Sequence, residues 1–331
     1  MAGLNASGRN TASRGERRSR RLCFFLWSRP EVQYGGQAVI EGVMMRGPRR
    51  LAVAVRRPAG DILVESQPFT SWAARHPVLK WPFFRGVVAL IESLVLGIRY
   101  LSLSANLALE EEDEELTTRD LILTVGLALA VAVALFVLLP AALAALSQRV
   151  LPFYGQNLLE GVLRLALFLA YVWAISRVKE IQRVFQYHGA EHKVINALEA
   201  GEELTVEKVR PYSTLHPRCG TSFLLLVLVL TIVFFSLLGK GGLLWRLASR
   251  LVLLPVVAGV AYEIMKFSSR HMNSLPVRAV VAPGLWLQRL TTREPDDGML
   301  EVALKALAAA REEDTAKGGE VSAGEAAGAG R

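Results

Sequence analysis

A long apolar segment, Leu121–Leu146, contains no charged residue. A helix rises about 1.5 Å per residue, so one of this length covers the hydrocarbon core of a bilayer, which is about 30 Å thick. Pro140 can kink such a helix without preventing its insertion. Hydrophobic residues make up 52% of the 331 residues, and they concentrate in long runs. We therefore predict four transmembrane helices, at Leu121–Leu146, Leu158–Ile175, Phe223–Leu238 and Leu251–Met265.

Residues 82–109 are also apolar, but they include Arg85, Glu92, Arg99 and Asn106. Charges at the centre of a bilayer are costly, so this stretch is a poor isolated span. The pattern instead favours an amphipathic helix in the membrane interface, or a re-entrant helix. An acidic cluster at 110–115 follows and is expected to be a solvated linker.

Short β-rich runs precede these helices. They are separated by Gly47-Pro48 and by Pro58-Ala59-Gly60-Asp61, which are typical turn sequences. The pattern predicts a small antiparallel unit with strands at Gln37–Met45, Leu51–Val55 and Ile62–Glu65. Three polar residues in and beside the first strand are expected to face solvent: Gln37, Glu41 and Arg46.

The predicted fold is mainly α: a polytopic helical membrane protein with about four transmembrane helices, a small N-terminal β-rich cytoplasmic unit and the interfacial or re-entrant helix. Lys and Arg are frequent before Leu121, between Arg177 and Arg218, and after Met265. The positive-inside rule therefore predicts a multi-pass protein of the inner (cytoplasmic) membrane with both termini in the cytoplasm. The mildly basic loop at 240–250 fits this orientation least well.

The predicted organisation has six parts. They are a disordered basic tail (1–30), the β-rich unit (31–80), the interfacial or re-entrant helix with its acidic linker (81–116), the four-helix membrane domain with a His-rich cytoplasmic loop at 177–221 (117–267), a cytoplasmic segment with an amphipathic helix (268–310), and a disordered tail (311–331). Within the fifth part, Ser268–Ser274 and Pro283–Arg293 are expected to be irregular. Asp296 or Asp297 is expected to cap a helix that runs to about Ala310.

The clearest chemical motif is His-x-x-Glu-His, formed by His188, Glu191 and His192. On a helix the two histidines lie one turn apart on one face, and the same order of residues occurs in inverted zinc peptidases. Two imidazoles can bind a divalent metal, most plausibly zinc, with Glu191 as general base toward a water molecule. Both histidines also lie on the apolar stripe of this helix, so hydrogen-bonded packing groups are an equally open interpretation.

Further ligands are needed, because a catalytic zinc site has three protein ligands and an open position. His216 and Cys219 form a His-x-x-Cys sequence just before the third predicted span. Glu263 lies roughly seventy residues beyond the motif, where inverted zinc peptidases place a carboxylate ligand. The expected third ligand is His216 or Glu263, with Cys219 fourth. The two cysteines of the chain do not indicate a disulfide framework.

Four motifs in this order resemble the YqhQ-like family of bacterial multi-span membrane proteins, which carry a domain of unknown function (1385). The motifs are Gly35–Gly47, Tyr187–Lys193, His216–Phe223 and Gln288–Asp297. The resemblance covers about residues 31–310. It implies a membrane protein and, because members have been described as predicted metal-dependent enzymes, a metal site. It implies no particular substrate or reaction.

Two functional hypotheses follow. The first is a cytoplasm-facing zinc hydrolase that acts on a peptide or a lipid-linked molecule. The second is a non-catalytic membrane scaffold or assembly factor that binds a cytoplasmic protein partner and holds a structural metal or a polar His/Glu/Cys network. A transporter is less favoured because the spans contain few charges. The net charge of +8 fits an anionic lipid surface, and no nucleic acid partner is expected because Lys and Arg do not alternate with aromatic residues.

Overall fold

A computed structural model describes residues 34–82, 84–109, 117–237 and 243–311. The basic tail expected at 1–30, the acidic cluster at 110–115 and the tail expected at 311–331 lie outside these ranges, except for Arg311. The described chain is mainly helical and has one small sheet, as predicted.

The helices are numbered in chain order. They are α1 (Trp72–Arg75), α2 (Phe84–Leu107), α3 (Thr118–Val133), α4 (Leu139–Ala145), α5 (Phe153–Ile175), α6 (Lys179–Glu199), α7 (Val206–Val209), α8 (Gly220–Ser236), α9 (Leu243–Arg270), α10 (Leu275–Thr291) and α11 (297–311). A π-helical turn at Ala134–Leu138 joins α3 to α4, and 3-10 turns occupy Pro77–Lys80 and Leu146–Arg149.

The sheet is a four-stranded antiparallel meander in the order β1-β2-β3-β4. Its strands are β1 (Gly35–Val39), β2 (Gly42–Arg46), β3 (Arg50–Arg56) and β4 (Ile62–Pro68). The sequence predicted three strands, and the single strand expected at Gln37–Met45 is in fact a hairpin. Ile40 and Glu41 form its two-residue turn, with Glu41 in the left-handed region at φ 51°. The next residue, Gly42, has to be glycine, because a Cβ at this position would lie 2.3 Å from the carbonyl oxygen of Ala54 on β3.

The sheet lies between two helical layers. One face packs against α2 through an apolar cluster that includes Val53 and Tyr100. The other face packs against α6 and α11 through a larger cluster that includes Ala54, Val194 and Leu307. Alternate residues of a strand point to opposite faces, so β3 supplies both clusters, and all of Leu51–Val55 is buried.

Two polar residues of α2, Glu92 and Ser104, face the sheet. Glu92 is 2% exposed and accepts hydrogen bonds from Arg46, from Ser71 Oγ and from the Trp72 amide. Further along the helix, Ser104 Oγ accepts a hydrogen bond from the Ile40 amide. The expectation that Arg46 faces solvent is therefore wrong, because its guanidinium pairs with the buried Glu92 carboxylate.

Four described helices are long and apolar enough to cross a membrane: Phe84–Leu107, Arg119–Ala145, Phe153–Ile175 and Ala248–Arg270. The predicted number is confirmed, but the set differs. The segment expected to be interfacial, α2, has the length and composition of a span. The third predicted span corresponds to α8, an apolar helix of 17 residues that falls just below this length.

Helices α5 and α8 are antiparallel neighbours. Val172 and Leu225 share one apolar cluster, and Gly161 lies so close to Ile232 that a Cβ on the glycine would stand 2.7 Å from the isoleucine Cγ1. Small residues permit such close helix contacts in apolar surroundings. The end of α8 that follows Cys219 therefore lies beside the end of α5 that leads into α6.

The segment after the last span is more regular than expected. Helix α9 continues to Arg270, and α10 occupies Leu275–Thr291 with Pro283 inside it. The prediction of irregular structure at 268–274 and 283–293 is therefore wrong for most of these residues. The start of α11 is as predicted, because the Met299 amide donates to Asp296 Oδ1 over 2.8 Å in an N-cap arrangement.

Candidate metal centre

Helix α6 carries His188 and His192 one turn apart, and each imidazole is oriented by a backbone carbonyl. Nδ1 of His188 lies 2.8 Å from the Thr291 carbonyl oxygen, and Nδ1 of His192 lies 2.5 Å from the Thr214 carbonyl oxygen. A carbonyl only accepts hydrogen bonds, so both Nδ1 atoms carry the proton. This leaves the lone pair of each Nε2 available, which is the usual arrangement of metal-binding histidines.

Cys219 completes the cluster from a different element. It precedes the first residue of α8, and its Sγ lies 3.2 Å from His188 Nε2 and 3.2 Å from Thr221 Oγ1. The ligand atoms of His188, His192 and Cys219 all lie within 4.8 Å of one another. The N-terminal end of a helix favours negative charge, which suits a thiolate at this position.

These three residues fit a divalent metal. In a tetrahedral zinc site, bond lengths near 2.0 Å to nitrogen and 2.3 Å to sulfur hold neighbouring ligand atoms about 3.3–3.6 Å apart. The distance of 3.2 Å between His188 Nε2 and Cys219 Sγ is slightly shorter than this range, and small side-chain movements would widen it and bring in His192. Two imidazoles and one thiolate suit zinc better than magnesium or calcium, which prefer oxygen ligands.

Glu191 lies beside the cluster and is 6% exposed. Its Oε2 is 3.4 Å from His192 Nε2, the same nitrogen that faces the cluster. Strand β1 covers this carboxylate closely, since a Cβ on Gly36 would stand 2.6 Å from Glu191 Cγ. The Gly35-Gly36 pair was visible in the sequence, but only the fold shows that it contacts Glu191.

Two of the five predicted metal ligands are engaged elsewhere. His216 Nε2 is 3.4 Å from a carboxylate oxygen of Glu199, which also pairs with Arg218. Burial by itself would raise the pKa of Glu199, but the hydrogen bond to His216 and the electrostatic attraction of His216 and Arg218 outweigh it and hold the pKa below its ordinary value. Glu263 forms a two-bond ion pair with Arg85 of α2. The structure therefore brings together the ligand atoms of His188, His192 and Cys219. The His216 ring lies nearby, with its centroid 5.7 Å from that of His192, but its Nε2 faces Glu199, and Glu263 pairs with Arg85.

A buried amide on α10 fixes the position of the cysteine loop. Gln288 is 0% exposed, its Oε1 accepts from the His216 amide over 2.8 Å, and its Nε2 donates to the His216 carbonyl over 2.8 Å. Nε2 also donates to Ser222 Oγ over 2.7 Å. Sequence reasoning missed this residue, because a single glutamine in an apolar segment has no spacing that links it to a loop so distant in the chain.

The β unit is tied to the same helix by an ion pair. Glu41, at the hairpin turn, pairs with Arg183 of α6 and accepts a hydrogen bond from Tyr187. Burial and the nearby carboxylate raise the pKa of Tyr187 well above its usual value, so the phenol stays protonated and donates. Glu41 is therefore a contact between sheet and helix, and the expectation that it faces solvent is wrong.

Comparisons with known proteins identify the family. The model of the family described as "Protein of unknown function (DUF1385)" matches residues 81–313. The chain belongs to this family. It is also similar to "Uncharacterized protein YqhQ" of Bacillus subtilis (strain 168), with 35% identity over 286 residues, which cover 82% of this chain and 90% of that protein.

The part of the chain that matches the DUF1385 family model contains all three clustered residues, His188, His192 and Cys219, whereas the sheet precedes it. No solved structure matches the chain. The geometry of the cluster is therefore the main basis for a functional proposal.

Proposed function

We propose that this DUF1385 protein is a membrane-associated metal-dependent hydrolase with a zinc site formed by His188, His192 and Cys219. One observation carries the proposal: two histidines with carbonyl-bonded Nδ1 atoms direct Nε2 toward a buried thiol, and a carboxylate lies alongside. A fourth position is then left for a water molecule or substrate, as in catalytic zinc sites.

Each residue of the cluster has a separate role in this proposal. A zinc ion bound here would supply Lewis acidity and lower the pKa of a water molecule. Glu191 is the general base that accepts a proton from that water. The Thr291 and Thr214 carbonyls hold the two imidazoles in the required tautomer, and Gly36 excludes bulk water from one side of Glu191.

The proposed site faces the cytoplasm. The connection from Arg177 to Arg218, which includes α6, is rich in Lys and Arg, and such segments stay on the cytoplasmic side of membranes. The β unit packs on α6 and therefore lies on the same side. Both termini are proposed to be cytoplasmic and the membrane to be the inner membrane. The substrate would be a peptide or a lipid-linked molecule.

A second function is favoured by the burial of the cluster. His192 is 2% exposed and Cys219 is 6% exposed, and Cys219 contacts His188 directly at 3.2 Å. A closed polar site of this kind suits a structural metal in a scaffold that binds a cytoplasmic protein. In that case Glu191 completes the coordination as a fourth ligand and no position remains for water.

Metal content of the purified full-length protein tests the site itself. Wild type is expected to contain close to one zinc per chain, and His188→Ala/His192→Ala to contain almost none. The matched control is His271→Ala, which removes an exposed histidine that stacks on Phe267 and should leave the zinc unchanged. Wild-type protein that is folded but free of metal, even after zinc is added, would contradict both functions.

Glu191→Gln separates the two functions, because it removes the base while it keeps the shape of the side chain. The hydrolase proposal expects zinc to remain and hydrolysis, screened on peptide and lipid-linked substrates, to fall at least 100-fold. Under the scaffold proposal, the zinc affinity itself should fall, because Glu191 is lost as the fourth ligand. Full hydrolytic activity in Glu191→Gln would refute the assigned role.

A further inference from the structure

A charged cluster lies among the apolar helices, away from the metal centre. Glu160 of α5 accepts hydrogen bonds from Arg164 of α5 and from Arg250 of α9, each over 2.7 Å. Arg164 Nε also donates to the Phe136 carbonyl oxygen in the π-helical turn, over 2.8 Å. The three side chains are well buried, with relative exposures of 7% for Glu160, 11% for Arg164 and 16% for Arg250.

The cluster has more positive than negative charge. Two guanidinium groups face one carboxylate. The sequence continues this imbalance. In segments 121–175 and 220–262 Glu160 is the sole acidic residue, against five basic residues, Arg149, Arg164, Lys240, Arg246 and Arg250. An uncompensated charge among apolar helices is costly, so such residues usually mark a functional site.

This cluster lies toward the end of the helices remote from the metal centre. Asn157, one turn before Glu160, donates to the Phe235 carbonyl near the C-terminal end of α8, whereas Cys219 precedes the N-terminal end of the same helix. With a rise of about 1.5 Å per residue, the two ends of α8 are roughly 24 Å apart. Glu160 itself follows the start of α5 at Phe153 by about two turns.

We propose that Arg164 and Arg250 form a binding site for a phosphate group, supplied by the headgroup of an anionic phospholipid. Guanidinium groups bind phosphate oxygens through paired, charge-assisted hydrogen bonds. Glu160 orients both arginines, and the Phe136 carbonyl fixes one of them. A phosphate would balance the remaining positive charge. Arg250 lies two residues into the span that begins at Ala248, and long side chains reach from the apolar region toward the interface. This site is independent of the proposed hydrolase.

The test uses full-length protein in mixed micelles of a non-ionic detergent, with phosphatidylglycerol or phosphatidylcholine added. The thermal unfolding midpoint of wild type should rise more with phosphatidylglycerol. Arg164→Gln and Arg250→Gln should each weaken the apparent affinity for phosphatidylglycerol about tenfold, because each loses charged hydrogen bonds. Glu160→Gln should strengthen it, since it removes the competing negative charge. A third set of micelles contains phosphatidylcholine together with inorganic phosphate. A rise of the thermal midpoint in this set would indicate free phosphate, and no rise would indicate a lipid headgroup.

The controls separate a specific site from general attraction. Arg149→Gln removes an exposed arginine that follows α4, in the connection that leads to α5, and should leave the lipid effect unchanged. Arg250→Lys keeps the charge but loses the paired geometry, which gives a milder variant if Arg250→Gln does not fold. If wild type responds equally to both lipids, or if Arg149→Gln and Arg250→Gln lose the response equally, the site is refuted. A purely structural ion cluster predicts that all three substitutions, including Glu160→Gln, destabilise the protein without a change in lipid preference.

Discussion

Replacement of Gln288 by leucine should loosen the cysteine loop and weaken metal binding. The substitution removes three hydrogen bonds of 2.7–2.8 Å and leaves the amide and carbonyl of His216 and the hydroxyl of Ser222 without their partner. Each buried polar group without a partner costs about 1–3 kcal/mol. Local movement toward water should recover part of this, so we expect a net loss of stability of roughly 2–4 kcal/mol.

The loop that Gln288 holds also positions Cys219. Residues that orient metal ligands typically change metal affinity 10- to 100-fold, and we expect an effect of about this size for Gln288→Leu. Gln288→Glu keeps the shape and the acceptor but loses both donated bonds, so it should give a smaller effect of the same sign. The assay is a Co²⁺ titration of the purified protein, followed by the thiolate-to-cobalt charge-transfer absorption that reports Cys219 ligation.

Gln186→Leu is the matched control, since this partly exposed glutamine on α6 makes one longer hydrogen bond, to the Glu294 carbonyl at 3.3 Å. It should bind Co²⁺ as wild type does. If Gln288→Leu kept both the charge-transfer absorption and the wild-type affinity, the loop would not depend on Gln288. If wild type bound Co²⁺ without that absorption, Cys219 would not be a ligand, and the proposed metal centre would fail for a separate reason.

Three further predictions concern other contacts. Gly189→Ala places a Cβ 2.0 Å from the Arg293 carbonyl oxygen, so despite the better helix propensity of alanine it should cost about 1–3 kcal/mol, visible as a lower thermal midpoint. Glu92→Gln leaves Arg46 without its carboxylate and should lower stability by roughly 2–3 kcal/mol, with faster proteolysis of the sheet as the measurement. Because folding lowers the pKa of Glu199, its carboxylate stabilises the fold at pH values above 4.5, the ordinary pKa of the group. This stability is lost as the pH falls through the lower folded-state pKa. Glu199→Gln should therefore show a flatter decline of thermal midpoint below pH 4.5 than wild type, and identical curves would contradict this reasoning.

The helix that carries the histidines could be predicted because the pattern that indicates it lies within a few neighbouring residues of the sequence. The four-residue spacing of His188 and His192 places them on one face of any helix. The choice between His216 and Cys219 could not be made in the same way. Both lie in a short loop with Pro217, and both side chains approach α6, His216 at Glu199 and Cys219 at His188. Which of them reaches His188 depends on the path of the loop, which is held by Gln288, a residue remote in sequence. The carbonyl partners of the histidines, from Thr214 and Thr291, are remote for the same reason.

The hairpin was missed because residues 37–45 look like one continuous strand. Every residue from Gln37 to Met45 except Glu41 is apolar, polar-uncharged or glycine, and no Asn-Gly or Pro interrupts the run. The turn requires positive φ at Glu41, and a glutamate in the sequence does not indicate this conformation. The ion pair with Arg183 of α6 offsets the cost of the left-handed backbone. Gly42, which must approach Ala54 closely, was the one available signal.

Helix α2 combines two features that were alternatives in the sequence: the length and composition of a membrane span, and the polar face of an amphipathic helix. Its polar residues Glu92 and Ser104 are buried against the sheet, so they add no polar surface toward lipid. The opposite side carries an exposed apolar stripe at helical spacing: Ile91, Leu94, Ile98 and Leu101. That stripe is suited to an apolar environment. The sheet packs on the opposite side of α2, and its exposed edge is suited to water. Because the other face of the sheet packs on α6, a lipid surface that contacts this stripe also fixes the depth of His188 and His192 relative to the membrane.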